Sequence, residues 1–202
     1  MSAVLRRADE GDRDTVIRLL DTAFRNDPVT LWLFPEEEHR RSAHPRLMAA
    51  FLDIVLRAGR VDLLADGSGT ALWLPARDGD EAEEEQEPED DTLSRTFAEI
   101  APGNERVRTI NRLTAEIHPD RAHEYLWLIA VDPAQQGRGR GTALLAPALE
   151  RCDDEGTPAY LEATSPSSRA LYQRHGFVPT EPALTLPDGP TLWPMWREPC
   201  PR

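Results

Sequence analysis

The feature that most constrains the fold is an apolar run at 125–131, YLWLIAV, which leads through a glycine-rich turn into an amphipathic helix. Aromatic and branched residues in an unbroken run of this kind are typical of a central strand that is buried on both faces. Asp132 and Pro133 end the run, and after the turn apolar residues recur at helical spacing from Leu144 to Cys152. A buried strand that leads directly into a helix predicts an α/β domain with helices layered on a sheet.

Shorter patterns predict the other elements of this sheet. Apolar or alternating runs indicate strands, and apolar residues that recur with the period of an α-helix indicate helices. The predicted strands cover 4–7, 61–64, 70–74, 159–163, a segment that starts at 176, and a last hairpin at 185–197. The predicted helices cover 12–24, 41–58, 92–116 with a break at 102–103, 144–152 and 167–175. Pro147 lies inside one of these helices, where it should remove a backbone hydrogen bond and kink the helix unless it falls in the first turn.

The negative charge of the chain is concentrated in one segment. The sequence has 36 acidic and 23 basic residues, a net charge of −13, and ten of the acidic residues lie at 78–91, where there is no basic residue. Like charges at this density resist folding, so we predict a disordered surface loop at 78–91, with a docking site for a basic partner as the alternative. The remaining residues are only mildly acidic, which predicts no basic face for nucleic acid.

Several classes of protein are excluded by what the sequence lacks. All 23 basic residues are arginine, which rules out a Schiff-base lysine and a lysine-containing phosphate loop. No apolar run approaches the length of a membrane-spanning helix, and residues 1–12 lack the apolar region of a secretory signal. Cys152 and Cys200 give neither a disulfide framework nor a metal quartet. We therefore expect a single cytoplasmic domain over residues 1–202, with no metal and no membrane partner.

The turn at 136–142, QGRGRGT, has the composition of an anion site. Glycines at alternate positions let the backbone approach a ligand closely, and the helix that starts here presents unpaired N–H groups and the positive end of its dipole. Arg138 and Arg140 add cationic side chains that suit phosphate. A dinucleotide fingerprint does not fit, because Thr142 replaces its last glycine. By itself the turn predicts an anion site and leaves the ligand open.

Three segments resemble the signatures of one enzyme family. The segment IAVDPAQQGRGRGTALL resembles the acyl-CoA motif of the GNAT superfamily of N-acetyltransferases, in which Gln136, Gly139 and Gly141 fill the defined positions. The segment SSRALYQRHGF resembles the second signature of that family; Tyr172 and Gly176-Phe177 match it, and Ser168 stands where Asn is usual. The opening VLRRADEGDRDTVIRLLDTAF is similar to the first strand and helix of the family.

Within the superfamily, several segments of the sequence resemble puromycin N-acetyltransferase and its actinobacterial relatives. This likeness is carried by His123-Glu124-Tyr125-Leu126, the spacing from there to the glycine turn, Pro147, and Leu161-Glu162-Ala163-Thr164. It bears on the acceptor substrate, whereas the two signatures bear on the cofactor.

The resemblance implies a fold and a co-substrate. The fold would be of the GNAT type, a mixed and mostly antiparallel central sheet flanked by helices, and the co-substrate would be acetyl-CoA. The pyrophosphate would bind the backbone amides of the glycine turn, and the pantetheine arm would pair with the exposed edge of 129–131, which would also offer an N–H to the acetyl carbonyl. The implied cofactor-binding residues are Ile129, Ala130, Val131, Gln136, Gly137, Arg138, Gly139, Arg140, Gly141, Thr142 and Ser168.

The resemblance also implies direct attack of a primary amine on the acetyl group. Tyr172 occupies the position of the general acid of the family, and a phenol is protonated at neutral pH and can donate to the departing thiolate. Packing between helix and sheet is the alternative role for this ring. Glu162 lies in an otherwise apolar strand and is favoured as the base or as an anchor for a cationic acceptor, with His123 and Glu124 as alternative bases. Of these two, His123 is predicted to be a strand-end surface residue.

The acceptor itself is not defined by the sequence. The leading prediction is a small-molecule amine, such as an antibiotic or another natural product, in a closed pocket formed by the helices at 41–58 and 92–116. A protein or peptide N-terminus would need an open groove instead. A non-catalytic acyl-CoA-binding regulator is a further alternative, and the presence of Tyr172 argues against it. Dimers are common in the family, so the resemblance is compatible with a homodimer.

Overall fold

An eight-stranded sheet forms the centre of the computed structural model, which describes residues 4–78 and 90–200. Its strands are β1 (Leu5–Arg7), β2 (Arg60–Leu64), β3 (Gly69–Ala76), β4 (His123–Val131), β5 (Ala159–Ala163), β6 (Val178–Pro179), β7 (Leu184–Thr185) and β8 (Thr191–Arg197). They lie in the order β1-β2-β3-β4-β5-β8-β6, with β7 paired to the start of β8. Among these strands every pairing is antiparallel except that of β4 with β5. The predicted mixed, mostly antiparallel sheet is confirmed.

Helices cover both faces of the sheet. In the described ranges they are α1 (Arg13–Phe24), α2 (Pro28–Leu33), α3 (Glu37–Ala58), α4 (Asp90–Ile100), α5 (Glu105–Ile117), α6 (Arg140–Glu155) and α7 (Pro166–Arg174). The break that the sequence predicts at 102–103 is confirmed, because it separates α4 from α5. Helix α6 continues through Pro147, and α2 has no counterpart among the predicted helices.

The predicted acidic loop at 78–91 lies outside the described residues except at its ends. The carboxylate of Asp78 accepts a 2.7 Å hydrogen bond from the backbone N–H of Ala122, just before β4. Asp90 and Asp91 belong to the first turn of α4. The last two residues of the segment are therefore helical.

Two apolar clusters, one on each face of the sheet, hold the helices in place. Helices α1 to α5 pack on one face, where residues such as Leu20, Leu52 and Val107 are buried together with Leu63 and Leu72 of the sheet. Helices α6 and α7 pack on the other face, where the buried residues include Leu144, Leu145, Leu149, Cys152 and Tyr172. Within the described residues, no helix is both long and apolar enough to cross a membrane.

A β-bulge in β4 shapes the centre of the sheet. Leu72 and Trp73 are adjacent on β3, yet they pair with Leu128 and Leu126, so Trp127 is an extra residue on β4. Trp127 and Leu128 consequently share the face covered by α1 and α3, and the ring of Trp127 packs on that of Phe51, 4.6 Å between centroids. Bulges bend a strand and increase its local twist. The strand therefore changes course at Trp127.

Strands β4 and β5 are joined at their starts and separate beyond the bulge. Their ladder pairs Glu124 with Ala159 and Tyr125 with Tyr160, and the remaining residues of β4 have no register partner on β5. Strand β5 keeps its other neighbour, because 159–163 pair with β8 over their whole length. The edge of β4 from 126 to 131 therefore faces a gap in the sheet.

Candidate active site

A cavity of about 530 Å³ occupies the gap between β4 and β5. Its walls come from the segments 23–27, 126–131, 136–142, 162–168 and 171–174. The acceptor pocket was expected to be formed by the helices at 41–58 and 92–116, but no described residue of α3, α4 or α5 lines this cavity. The end of α1 and the turn after it form that wall instead. This cavity lies at the open edge of β4, whereas α3 packs across the face of the sheet, so an acceptor pocket between those helices stays a prediction.

The glycine turn forms one end of the cavity. Gly137 and Gly139 have φ angles of 72° and 75°, in the left-handed region that glycine adopts without steric cost. A Cβ atom added at either residue would meet no atom within 4 Å, so the space beside the backbone is open. Helix α6 begins directly afterwards, at Arg140, and the N–H groups of its first turn have no partner inside the helix. These features suit the predicted anion site, which stays a prediction.

The arginines of the turn are arranged differently from the prediction. The guanidinium of Arg140 forms a 2.7 Å ion pair with Asp66, in the turn between β2 and β3. Arg138 is exposed, lies 3.5 Å from the side-chain oxygen of Gln135, and is not part of the cavity wall. Arg174, near the end of α7, does line the cavity and makes no ion pair with the described residues. The sequence patterns do not point to this arginine.

The open edge of β4 presents backbone groups to the cavity. The carbonyl oxygen of Ala130 points toward Gly69 on β3, and that of Val131 accepts a 3.3 Å hydrogen bond from Nε2 of Gln136. Successive residues of a strand direct their backbone groups to opposite edges. The N–H and C=O of Ile129 and Val131 therefore face the gap, and those of Ala130 face β3. Of the three predicted edge residues, Ile129 and Val131 line the cavity and Ala130 does not.

Tyr172 projects from α7 into the same cavity. Its ring is 95% buried and packs on Phe177, with 6.0 Å between ring centroids, which fixes its position. Burial raises the pKa of the phenol, and the nearby carboxylate of Asp27 raises it further. The hydroxyl therefore stays protonated at neutral pH and is a hydrogen-bond donor. The same ring also belongs to the buried cluster under α6, so it packs as well as facing the cavity.

Ser168 lines the cavity, but its hydroxyl is already engaged. Ser165 and Ser168 form a capping box at the start of α7, in which the Ser168 hydroxyl donates to the carbonyl oxygen of Ser165 at 2.9 Å. A serine here serves the first turn of the helix.

Glu162 lies on the β5 side of the cavity, between two tyrosines. Its Oε2 accepts a 2.7 Å hydrogen bond from the hydroxyl of Tyr125, and its Oε1 is buried without a hydrogen-bond partner among the described residues. Burial raises the pKa of this carboxyl, while the hydroxyls of Tyr125 and Tyr160 oppose the rise. A buried carboxylate with a raised pKa is suited to accept a proton near neutral pH.

The two alternative bases lie elsewhere. His123 was predicted to be a strand-end surface residue, but it is 99% buried and packs against the rings of His118, Tyr160 and Trp196. Glu124 points to the opposite face of the sheet, near Arg151 and Glu155 of α6, and neither it nor His123 lines the cavity. Burial by α5 and β8 is a tertiary effect that a strand-end position does not reveal.

A second carboxylate at the cavity, that of Asp27, is not predicted by the sequence patterns. Asp27 caps α2 by accepting a 2.9 Å hydrogen bond from the N–H of Val29, and its other oxygen accepts from the hydroxyl of Thr164 at 3.0 Å. Burial raises the pKa of this carboxyl. The Asp-Pro pair at 27–28 is the available sequence signal, and it indicates a helix start rather than a binding site.

Comparison with known proteins identifies the family of the chain. A model described as the acetyltransferase (GNAT) family matches residues 70–177, a range that runs from β3 past α7 and includes most of the cavity wall. An L-2,4-diaminobutyric acid acetyltransferase of Streptomyces avermitilis is 34% identical over 149 residues, which cover 67% of this chain and 81% of that protein. An uncharacterized N-acetyltransferase of Schizosaccharomyces pombe is 25% identical over 189 residues, covering 86% of this chain and 73% of its own.

Solved structures agree with the family match. A Corynebacterium glutamicum structure described as histone acetyltransferase HPA2 and related acetyltransferase is 25% identical and superposes with a TM-score of 0.73, covering 100% of this chain and 99% of that one. The family model spans more than half of the sequence. The chain therefore belongs to the acetyltransferase (GNAT) family and is an acetyl-CoA-dependent N-acetyltransferase.

Proposed function

We propose that the protein transfers the acetyl group of acetyl-CoA to a primary amine of a small molecule by direct attack, with Tyr172 as general acid and Glu162 as general base. The observation that carries this proposal is the single cavity that joins the glycine turn, the open edge of β4, Tyr172 and Glu162. Each of the three tasks of the reaction would then have a candidate group: binding the phosphates, donating to the thiolate and accepting the proton of the amine.

The cofactor end of the cavity fits acetyl-CoA. The open space beside Gly137 and Gly139 and the free N–H groups at the start of α6 would hold the pyrophosphate. Arg174 would supply the cation, because Arg140 is paired with Asp66. The gap-facing backbone of Ile129 and Val131 would pair with the amides of the pantetheine arm. Ser168, on the part of α7 that lines the cavity, would make a minor contact with acetyl-CoA.

The chemistry is shared among three groups. Acetyl-CoA supplies an activated thioester. The backbone N–H of Ile129 would donate to the acetyl carbonyl oxygen as negative charge develops there. The Tyr172 hydroxyl would give its proton or a hydrogen bond to the departing thiolate, and the Glu162 carboxylate would take the proton that the amine loses.

The acceptor end of the cavity favours a small cationic amine. Asp27 and Glu162 are its acidic side chains, both partly withdrawn from solvent, and the arginines of the wall, Arg140 and Arg174, belong to the cofactor end. A protonated amine would be attracted to such a wall before it loses its proton. The relative from Streptomyces avermitilis is named for a small diamino acid. The sequence resemblance suggests a narrower proposal, in which the acceptor is an antibiotic such as puromycin.

The test is to follow release of free thiol from acetyl-CoA with a panel of acceptors. The panel would hold diaminobutyric acid, puromycin, simple alkylamines and short peptides with free N-termini. Turnover with a small amine, at a kcat/KM well above that with any peptide, is the expected result. Saturable acetyl-CoA binding without thiol release for any amine would favour the non-catalytic module, and preference for peptides would favour the protein N-acetyltransferase.

A further inference from the structure

The carboxyl of Glu162 is held from one side by a residue that does not line the cavity. Tyr125 lies on β4, directly across the ladder from Tyr160, and Glu162 follows two residues later on β5. Residues two apart on a strand share a face, so the phenols and the carboxylate lie on the same face of the sheet. The 2.7 Å hydrogen bond from the Tyr125 hydroxyl to Oε2 of Glu162 spans the point where β4 and β5 begin to separate.

Tyr125 is itself fixed by a cluster of rings. The ring of His118 meets it edge-on with 5.0 Å between centroids, and the rings of Tyr160 and His123 lie 5.8 and 6.4 Å away. Burial and the charge of Glu162 raise the pKa of the Tyr125 phenol well above its ordinary value. The hydroxyl is therefore a permanent donor in a fixed place.

The groups that face Glu162 offer little else to stabilise its charge. Tyr125 and Tyr160 approach it from β4 and β5, Pro194 of β8 is its register partner, and Asp27 and Tyr172 line the same cavity. The histidines behind the tyrosines are kept neutral, because burial lowers the pKa of both His118 and His123. Of the hydrogen bonds to this carboxylate, the one from Tyr125 favours the ionised form most.

We propose that Tyr125 is a positioning residue that fixes Oε2 of Glu162 and keeps the carboxylate ionised, so that the carboxylate can receive the proton of the acceptor amine. This inference rests on the proposed function. In the step concerned, the N–H bond of the acceptor ammonium breaks, its electron pair stays on nitrogen for attack, and the proton forms an O–H bond with Glu162. The carboxyl then returns the proton to solvent, so no further reactant is needed.

The test compares Tyr125→Phe, Tyr160→Phe and Glu162→Gln with the wild-type protein. Loss of the Tyr125 donor removes a hydrogen bond to the charged form, so the pKa of Glu162 should rise by about one unit in Tyr125→Phe. The acidic limb of kcat/KM against pH should move up by the same amount, with kcat at high pH within a few-fold of wild type. Tyr160→Phe should shift the pKa of Glu162 by less, and Glu162→Gln should abolish the acidic limb of the kcat/KM profile.

A second measurement keeps this inference separate from the proposed function. Titration of ¹³C-labelled glutamate carboxyls by NMR reports the Glu162 pKa directly, with Glu162→Gln assigning the resonance, and needs no acceptor. An unchanged Glu162 titration in a folded Tyr125→Phe protein would overturn the inference, even if acetyl transfer were established. Suppose instead that the pKa of Glu162 is raised in Tyr125→Phe but the wild-type protein acetylates no amine. That result would support the role of Tyr125 in holding the charge and would refute the proposed function. A uniform loss of activity across pH, with no shift in titration, would mean that Tyr125 only packs.

Discussion

The guanidinium of Arg140 lies 2.7 Å from the carboxylate of Asp66, so the first residue of α6 is tied to the turn between β2 and β3. Asp66 also accepts hydrogen bonds from the backbone N–H and the hydroxyl of Ser68, which keeps the carboxylate in place. An arginine that is already neutralised in this way contributes less to binding an anion than an unpaired one. We therefore expect Arg174, rather than Arg140, to supply the positive charge that binds an anion at this end of the cavity.

Arg174→Gln should weaken the binding of CoA by about tenfold, on the scale of one lost charge-assisted hydrogen bond. Arg138→Gln is the control, because that side chain is exposed and outside the cavity wall, and its Kd should change less than threefold. Calorimetric titration of each folded variant with CoA measures the effect. Equal losses in both variants would point to general surface charge, and a larger loss in Arg140→Gln would show that the Asp66 pair opens on binding.

Gly139→Asp should reduce the affinity for acetyl-CoA by at least a hundredfold. Its φ of 75° strains any other residue, and the new carboxylate would enter the space beside the turn and repel a pyrophosphate. Gly103→Asp is a matched control: its φ is 73°, its Cβ would also meet nothing within 4 Å, and it lies between α4 and α5. Both variants should lose about 1 kcal/mol of stability to backbone strain, and only Gly139→Asp should lose binding. Similar affinities in the two variants would contradict the assignment of the turn.

The sheet and most helices follow from local patterns because the periodicity of a segment depends on the faces that it buries. The hairpin of β2 and β3 and the central strand β4 are of this kind, and the structure confirms their pairing. Only three of the nine residues of β4 are fully buried, because one edge of the strand faces the cavity. Helix α2 was missed for a local reason. An Asp-Pro pair that follows the predicted helix over 12–24 is compatible with a loop, but in the structure it begins the next helix, with Asp27 as its N-cap and Pro28 in its first turn.

The site depends on contacts that no local pattern records. Arg140 and Asp66, and Asp27 and Thr164, are distant in sequence, and each pair changes which group is available to a ligand. The burial of His123 likewise depends on Trp196, from the other end of the chain. The family signatures point to the glycine turn and to Tyr172, both of which line the cavity. The pairing of a charged side chain, in contrast, depends on contacts that form only when the sheet assembles.

Stability should fall as the pH is lowered from about 6.5 to 4, in part because of His118. Burial and the neighbouring His123 lower the pKa of this imidazole to about 4 in the folded protein, whereas in the unfolded chain it is about 6.5. Between these values the unfolded state binds a proton that the folded state does not, so each step down in pH favours unfolding. Below the folded pKa this contribution levels off.

His118→Phe tests this linkage, because phenylalanine keeps a ring among Tyr125, Tyr160 and His123 and cannot titrate. Urea unfolding at pH 7 and pH 5 should show that the wild type loses about 1–2 kcal/mol more than the variant over this interval. If the two proteins lost the same free energy of unfolding between pH 7 and pH 5, His118 would already be solvated or protonated in the folded state.

Tyr172→Phe isolates the role of one hydroxyl. The substitution keeps the ring and its contact with Phe177, so the melting temperature and the Kd for acetyl-CoA should stay near those of the wild type. If the phenol protonates the departing thiolate, kcat should fall by about a hundredfold or more, the usual scale for loss of a general acid. The alkaline limb of the wild-type profile should also lie high, because burial and Asp27 raise the pKa of this phenol above its ordinary value. Pre-steady-state measurement of acetyl transfer is needed so that product release does not mask the chemical step. A rate of transfer within a few-fold of wild type would leave Tyr172 with its packing role alone, and the thiolate would then leave unprotonated or take its proton from solvent in the cavity.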